Sequence, residues 1–152
     1  MGEILSINIS RKKGTVKKPV KKALIQEGIG VKDDAHAEPG PRQVSLMMWE
    51  SIQKQIELIQ DNKKKKPKVE LSPGSYAENL TTRGIDLSSL KVGDSLLVGK
   101  KITLRVSAIG KDCHEKCAIF YKIGDCLMPR EGIFCEVISG GEVRVGDRIE
   151  KS

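Results

Sequence analysis

The chain has 152 residues, the length of one domain, and a net charge of +7; because only 3% of its residues are aromatic, Ile, Leu and Val must fill its core. No apolar run is long enough to span a bilayer, which excludes an integral helical membrane protein, and no signal peptide is visible. We therefore expect a single cytoplasmic domain over residues 1–152, with reduced cysteines and an anionic ligand or partner.

The first part of the chain predicts strands separated by turns. Residues 4–9 and 20–25 each have the pattern of a strand. Residues 28–41 contain several glycines and prolines and predict a loop. Residues 44–46 predict a short strand or the start of a helix.

One substantial helix is predicted over residues 47–62. Trp49, Ile52, Ile56 and Ile59 recur at helical spacing and form one apolar face. Four lysines follow at residues 63–66, where cations suit the negative end of the helix dipole, and Pro67 ends the helix. No aromatic residue or arginine interrupts these lysines, which favours a solvated helix end over a nucleic-acid-binding patch.

The second half predicts further strands over residues 95–98, 101–109 and 133–138, with a glycine hairpin turn at 140–141 leading into residues 142–145. Short strands, glycine turns and one helix together predict a mainly β domain that closes into a barrel, with short helical turns.

Most of the thiols lie in a basic, glycine-bounded segment over residues 110–132. Its candidate reactive or metal-binding side chains are Cys113, His114, Cys117 and Cys126, with Lys111 beside them. Nearby cations lower the pKa of a thiol, which favours a reactive thiolate. These residues could also form a tetrahedral zinc site, or a thiolate that carries sulfur or ligates a transition metal. Cys135 lies inside a strand pattern and is predicted to be a buried core residue.

His36 and Arg42 are the other polar candidates. A single histidine is more often structural than catalytic, whereas the guanidinium of Arg42 is suited to bind phosphate. The chain has no Ser-His-Asp order, phosphate-binding P-loop or dinucleotide-binding glycine pattern.

Several short motifs together resemble one family. They are Asp34-Ala-His36-Ala37, Arg42-Gln-Val-Ser-Leu46, Glu78-Asn-Leu-Thr-Thr82, Gly84-Ile-Asp-Leu87, Val92-Gly-Asp94, Gly110-Lys-Asp-Cys-His114 and Val145-Gly-Asp147. In this set the chain resembles the MOSC domain, the C-terminal domain of molybdenum cofactor sulfurases, in its small stand-alone bacterial form. The resemblance covers nearly the whole chain. Two positions depart from it, since Asp33 and Glu38 stand where glycine is common.

The resemblance implies a MOSC-type β-barrel and a role in molybdenum cofactor chemistry. It makes Cys113 the best match to a family cysteine that carries sulfur or ligates molybdenum, with Cys117 and Cys126 as resolving thiols or second ligands. The residues that it suggests for holding the anionic pterin of molybdopterin are His36, Arg42, Asn79, Lys111 and His114.

The implied partners are a pyridoxal phosphate-dependent cysteine desulfurase or a molybdoenzyme, with no membrane partner. Whether the protein is an enzyme stays open: an activity would depend on molybdenum cofactor or transfer sulfur as a persulfide. Two other classes also remain, a zinc-stabilised binding module without catalysis and a basic nucleic-acid-binding protein, and nucleic acid is the less favoured partner.

Overall fold

The structure is a computed structural model that describes residues 2–13, 16–61, 72–110 and 131–152. Its strands are β1 (Gly2–Ile9), β2 (Lys18–Val20), β3 (Lys22–Gln26), β4 (Gly30–Val31), β5 (Val44–Met48), β6 (Leu80–Arg83), β7 (Ser95–Val98), β8 (Ile102–Ile109), β9 (Ile133–Ser139), β10 (Gly141–Arg144) and β11 (Arg148–Lys151). Helix α1 spans Trp49–Asp61, and a 3₁₀ turn spans Leu87–Ser89.

The main sheet closes on itself as a barrel. Its strands follow the order β11, β7, β8, β9, β5, β6 and β1, and β1 then pairs with β11. Only the β5–β6 pair of this ring is parallel. The prediction of a mainly β, closed barrel with one substantial helix and a short helical turn is confirmed.

The barrel interior is filled by aliphatic side chains. Because alternate residues of a strand face opposite sides, each strand sends one set inward. Ile4, Leu46, Leu104 and Ile149 come from four different strands and have no exposed surface. Burial of this kind contributes roughly 25 cal/mol per Å² of apolar surface, and it explains how a chain with few aromatic residues forms a core.

Two local predictions about strands are wrong. Residues 20–25 do not form one strand: β2 ends at Val20 and pairs with β1, while β3 starts at Lys22 and joins a separate sheet. Residues 140–141 do not make a hairpin turn, because β10 pairs with β3 instead of with the preceding strand β9. Both strands that follow these breaks, β3 and β10, form a small sheet with β4.

The helix starts two residues later than predicted. Met47 and Met48 belong to β5, where their parallel pairing with Thr81 and Thr82 extends the strand. Helix α1 then packs outside the barrel, where Ile52 and Phe134 lie in an apolar cluster separate from the barrel core. The side chains of residues 58–61, the lysines at 63–66 and Pro67 lie outside the described part of the chain.

Strand β2 lies at the edge of the main sheet, and in the part of the chain that the structure describes it pairs only with β1. Pro19 lies opposite Asn8. The backbone N–H of Asn8 donates to the Asn79 carbonyl (2.7 Å), and its own carbonyl accepts from the Asn79 side chain (3.3 Å). The backbone groups of Asn8 therefore point away from β2, so those of Pro19 point to the outer edge.

No helix within the described ranges combines the length and apolar character that crossing a membrane requires.

Candidate functional site

A buried charge cluster lies where β1 ends and the loop after β4 passes it. Lys17 Nζ donates to Asp34 Oδ1 at 2.7 Å, and neither side chain has exposed surface. The same ammonium group lies 3.1 Å from His36 Nδ1 and 3.3 Å from Ser10 Oγ. The His36 side chain is 28% exposed, so the cluster connects a buried ion pair to the surface through one imidazole ring.

Hydrogen bonds hold Asp34 as a carboxylate in this cluster. Its Oδ1 also accepts from the Ser10 backbone N–H (2.9 Å), and its Oδ2 accepts from the His36 backbone N–H (3.1 Å). Burial alone would raise the pKa of Asp34, but the contacts from His36, Lys17 and Ser10 outweigh it and hold that pKa well below its usual value. The charge of Lys17 is thus balanced inside the protein.

A groove of about 970 Å³ runs beside the cluster. Ser10 and Asp34 form part of its wall, and Arg11, Lys12 and Lys18 add positive charge. Cations around an open groove attract anionic groups, as the net charge of the chain suggested.

Arg42 lies on the outside of the barrel. Its guanidinium carbon is 5.4 Å from the centre of the Phe134 ring, within the range of a cation–π contact. The register of β8 against β9 shifts between Val106 and Ala108, and the Ser107 side chain at this irregularity donates to the Pro41 carbonyl. Ser107 therefore anchors the backbone of the residue before Arg42.

The segment that carries the candidate thiols leaves from the ends of two strands. Strand β8 ends at Ile109, and the Gly110 N–H donates to the Gly132 carbonyl at 2.7 Å, which closes the base of the segment. Glu131 also accepts a hydrogen bond from Ser51 of α1 (3.2 Å). Residues 111–130 lie outside the described part of the chain, and with them the candidates Lys111, Cys113, His114, Cys117 and Cys126, whose roles stay predictions.

One apolar cluster outside the barrel core lies between the charge cluster around Lys17 and the base of the thiol segment. Val16, the residue before Lys17, packs against the cluster that contains Phe134 and Tyr76. Phe134 lies under Arg42 and two residues beyond the base of the thiol segment. The charge cluster, Arg42 and that base are therefore each next in sequence or in space to a residue of this outer apolar cluster, Val16 or Phe134.

The polar motif at residues 78–82 lies inside the protein. Asn79 is fully buried, and its side chain accepts from the Ser45 backbone N–H (3.0 Å) and donates to the Asn8 carbonyl (3.3 Å). Glu78 is also fully buried and accepts from the Thr81 hydroxyl at 2.7 Å. Burial raises the pKa of Glu78 despite these hydrogen bonds. Asn79 thus links β1 to β5 through backbone contacts; its predicted contact with a cofactor stays a prediction.

A model of the MOSC domain family matches residues 33–150. The chain belongs to the MOSC domain family.

Solved structures agree with this membership at the level of the fold. The chain is similar to YuaD from Bacillus subtilis, with a TM-score of 0.74, 20% identity and coverage of 97% of this chain and 93% of that one. It is also similar to YiiM from Geobacillus stearothermophilus (TM-score 0.72, 17% identity, coverage 100% and 75%) and from Escherichia coli (0.69, 19%, 100% and 70%). A comparison with curated proteins gives no match.

The backbone conformation of Asp33 explains why this residue can stand where the MOSC family commonly has glycine. Asp33 has a backbone φ of +70°, in the left-handed region that glycine adopts most readily and that aspartate tolerates. An aspartate at this position is therefore compatible with the loop that brings Asp34 and His36 to Lys17.

Cys135 is a buried core residue, as its position in a strand pattern predicted. It lies in β9 with no exposed surface, and burial raises the pKa of its thiol to about 12. Burial therefore favours the protonated thiol at neutral pH, and the thiolate is the form that acts as a nucleophile or metal ligand. In the described ranges, no group of three or more His, Cys, Asp or Glu side chains is placed to hold a metal.

Sequence reasoning missed Lys17, Asp34 and Ser10 as site residues. Asp34 lies in the His36 motif and could have been chosen for that reason. Lys17 carries no such signal, because it is adjacent to Lys18 and only three-dimensional contacts distinguish the buried lysine from the exposed one.

Proposed function

We propose that this MOSC-domain protein binds a molybdenum cofactor, an anionic phosphorylated pterin, and acts through the Cys113 thiolate. The observation that carries the proposal is the position of Arg42, an exposed cation over Phe134, close to the closed base of the segment that contains Cys113. A thiolate suits molybdenum or transferable sulfur, and a neighbouring guanidinium suits phosphate.

The described side chains fit the anionic part of such a cofactor. Arg42 provides an exposed cation, and the partly exposed ring of His36 provides a ring nitrogen. The groove beside the charge cluster adds three cations, Arg11, Lys12 and Lys18, against one further carboxylate, Asp33. Two nearby carboxylates are already paired, Asp34 with Lys17 and Glu38 with Lys13, and so repel an anion less than free carboxylates would.

In this proposal Arg42 and His36 would bind the phosphate and orient the pterin. Lys111 and His114 would favour the thiolate form of Cys113, and that thiolate would be the residue that holds molybdenum. Asn79 supports the site indirectly, by fixing β1 against β5. When bound, the cofactor would supply two-electron chemistry at the metal.

A sulfur-carrier role is the second form of the proposal. The Cys113 thiolate would attack the outer sulfur of a persulfide on a pyridoxal phosphate-dependent cysteine desulfurase. A new S–S bond forms on Cys113, the S–S bond of the desulfurase breaks, and the desulfurase cysteine leaves as a thiolate. A thiolate on a molybdoenzyme would then attack that outer sulfur, so that the S–S bond on Cys113 breaks and Cys113 leaves as a thiolate. This chemistry needs reduced thiols, which agrees with a cytoplasmic location.

The test measures the molybdenum, pterin and persulfide content of the protein after purification from a molybdate-replete host that makes the cofactor. We expect molybdenum and pterin in equal amounts, or a persulfide after incubation with a desulfurase. Cys113→Ser should lose them, whereas Cys135→Ser, a change in the core, should keep them. If Cys117→Ser or Cys126→Ser loses the molybdenum or the persulfide while Cys113→Ser keeps it, Cys113 is the wrong cysteine. Stoichiometric zinc without pterin would support the zinc-stabilised module instead.

Arg42→Ala tests the phosphate contact. Loss of one charge-assisted hydrogen bond should weaken binding of a phosphorylated pterin by about 1.5–3 kcal/mol in a direct titration. Arg144→Ala is the matched control, because Arg144 is an exposed arginine on β10 that pairs with Glu142. Equal affinity of the two variants would contradict the role of Arg42.

A further inference from the structure

The contacts of Lys17 determine which nitrogen of His36 carries the proton. A lysine ammonium has three N–H donors and no acceptor. The contacts of this ammonium group include Asp34 Oδ1 at 2.7 Å, His36 Nδ1 at 3.1 Å and Ser10 Oγ at 3.3 Å. The Ser10 hydroxyl in turn donates to the Lys12 carbonyl (3.0 Å), so it accepts from Lys17. Each of these three contacts therefore requires an acceptor on the partner, including Nδ1 of His36.

The alternative hydrogen bond, from a protonated Nδ1 to Asp34, does not fit the geometry. Nδ1 lies 3.7 Å from Asp34 Oδ2, beyond hydrogen-bond distance, and that oxygen already accepts from the His36 backbone N–H at 3.1 Å. A proton on Nδ1 would also point an N–H at the ammonium group of Lys17. The ring therefore accepts at Nδ1 and carries its proton on Nε2.

The group that contacts Nδ1 of His36 differs from the one usually found beside a functional histidine. When a carboxylate contacts Nδ1 directly, it selects the Nδ1–H form, and Nε2 is left as a base or a metal ligand. Here Lys17 is inserted between the carboxylate of Asp34 and the ring. Nε2 is then a hydrogen-bond donor and has no lone pair free for a metal.

We propose that Lys17 is a positioning residue that holds His36 as its Nε2–H tautomer, and that His36 is thereby a fixed donor to an oxyanion such as a phosphate. The inference rests on the proposed function only for the source of that phosphate. The backbone bond from His36 to Asp34 and the bond from Asp34 to Ser10 fix the ring relative to the barrel. Since the Lys17 charge is balanced by Asp34, the site selects an oxyanion by a directed hydrogen bond together with the surrounding surface cations.

The tautomer can be measured directly. The chain has two histidines, and a His114→Gln variant assigns the ring signals of His36. Long-range ¹H–¹⁵N correlation spectra of the wild-type protein, recorded above the usual titration range of histidine, should show Nδ1 as an unprotonated nitrogen and Nε2 as protonated. An Nδ1–H ring, or a mixture of the two forms, would overturn the inference without any need for a variant.

Anion binding is tested on the same signals. Inorganic phosphate should shift the Nε2–H resonance of His36 in a saturable way, and zinc should not bind this ring. Tighter binding of a pterin phosphomonoester than of inorganic phosphate assigns the site to the phosphate of a cofactor; equal binding assigns it to free phosphate. No response of His36 to either compound, or zinc ligation by its ring, refutes the oxyanion role.

Two lysine variants separate the specific role of Lys17 from the effect of positive charge in general. Lys17→Met should give a mixture of tautomers and weaken the phosphate response at least tenfold, whereas Lys22→Met, on an exposed position of β3, should change neither. A Lys17→Met ring that keeps the pure Nε2–H form would contradict the positioning role; if this variant does not fold, the wild-type spectrum decides. Failure to find pterin in the purified protein would refute the proposed cofactor but leave the tautomer result unaffected.

Discussion

Removing one charge of the Lys17–Asp34 pair should destabilise the protein far more than removing a surface ion pair. Both side chains are completely buried, with Nζ and Oδ1 2.7 Å apart. Breaking such a pair at one end leaves an uncompensated buried charge and costs about 3–5 kcal/mol. In Asp34→Asn the amide oxygen can still accept from the Ser10 N–H, so most of this cost comes from the lysine charge, which loses its carboxylate partner.

This magnitude is a large part of the stability of an ordinary domain, which is about 5–15 kcal/mol. With about 2.1 cal/mol/K of unfolding entropy per residue, a loss of 3–5 kcal/mol in 152 residues lowers Tm by about 9–16 °C. The assay is equilibrium unfolding in urea of the wild type, Asp34→Asn, Lys17→Met and the double variant. The double variant should recover much of the loss, because it leaves neither charge unpaired.

Two results would refute this reasoning. One is a cost below about 1 kcal/mol in both single variants, as for exposed pairs. The other is a double variant whose loss equals the two single losses combined. The pH dependence gives a further check. The pKa of Asp34 is lowered, so its contribution is present above the usual value of 3.8 and is lost as the pH falls through the lowered pKa; Asp34→Asn should lack this dependence.

Other perturbations test the buried motif at residues 78–82 and the turn at Gly74, which packs against the Lys17 carbonyl. Burial raises the pKa of Glu78, so stability should fall as the pH rises through that raised pKa, and unfolding over a pH series should show this slope in the wild type but not in Glu78→Gln. Gly74→Ala should lose about 2 kcal/mol or more, because φ is +91° and an added Cβ would overlap the Lys17 carbonyl; Gly28→Ala, with φ of +70° and open space, should lose less. Asn79→Ala should lose about 2–3 kcal/mol in urea unfolding, because its bonds to β1 and β5 are buried, whereas an unchanged midpoint would contradict that role.

Local patterns were sufficient for much of the fold. Alternating residues in β1 and β8 and helical spacing at Trp49 and Ile52 predicted elements that the structure confirms. The errors concern long-range pairing. The sequence around Lys21 does not show that β2 and β3 enter different sheets, and two glycines favour a hairpin although β10 pairs with a strand more than a hundred residues earlier. Such pairings depend on barrel closure, which no local pattern contains.

The site was predictable to a similar degree. The motif around His36 and the anion-binding potential of Arg42 were identified from the sequence; the structure places His36 beside Lys17 and Arg42 over Phe134, and their joint role stays a prediction. The role of Lys17 could not be identified, because burial converts a solvated cation into a donor within a closed cluster. Asn79 was chosen for its motif, but the sequence does not show that its amide bonds to two strands inside the protein.

Pro19 affects how readily the protein aggregates at high concentration. Its backbone groups face the outer edge of β2, while those of Lys18 and Val20 face β1. Proline has no N–H, so the outer edge of this short strand presents a carbonyl and no donor. A strand from another molecule cannot continue the ladder there, and β2 ends the sheet chemically as well as geometrically. The barrel thus has built-in protection against edge-to-edge aggregation at this strand, independent of the charge on its surface.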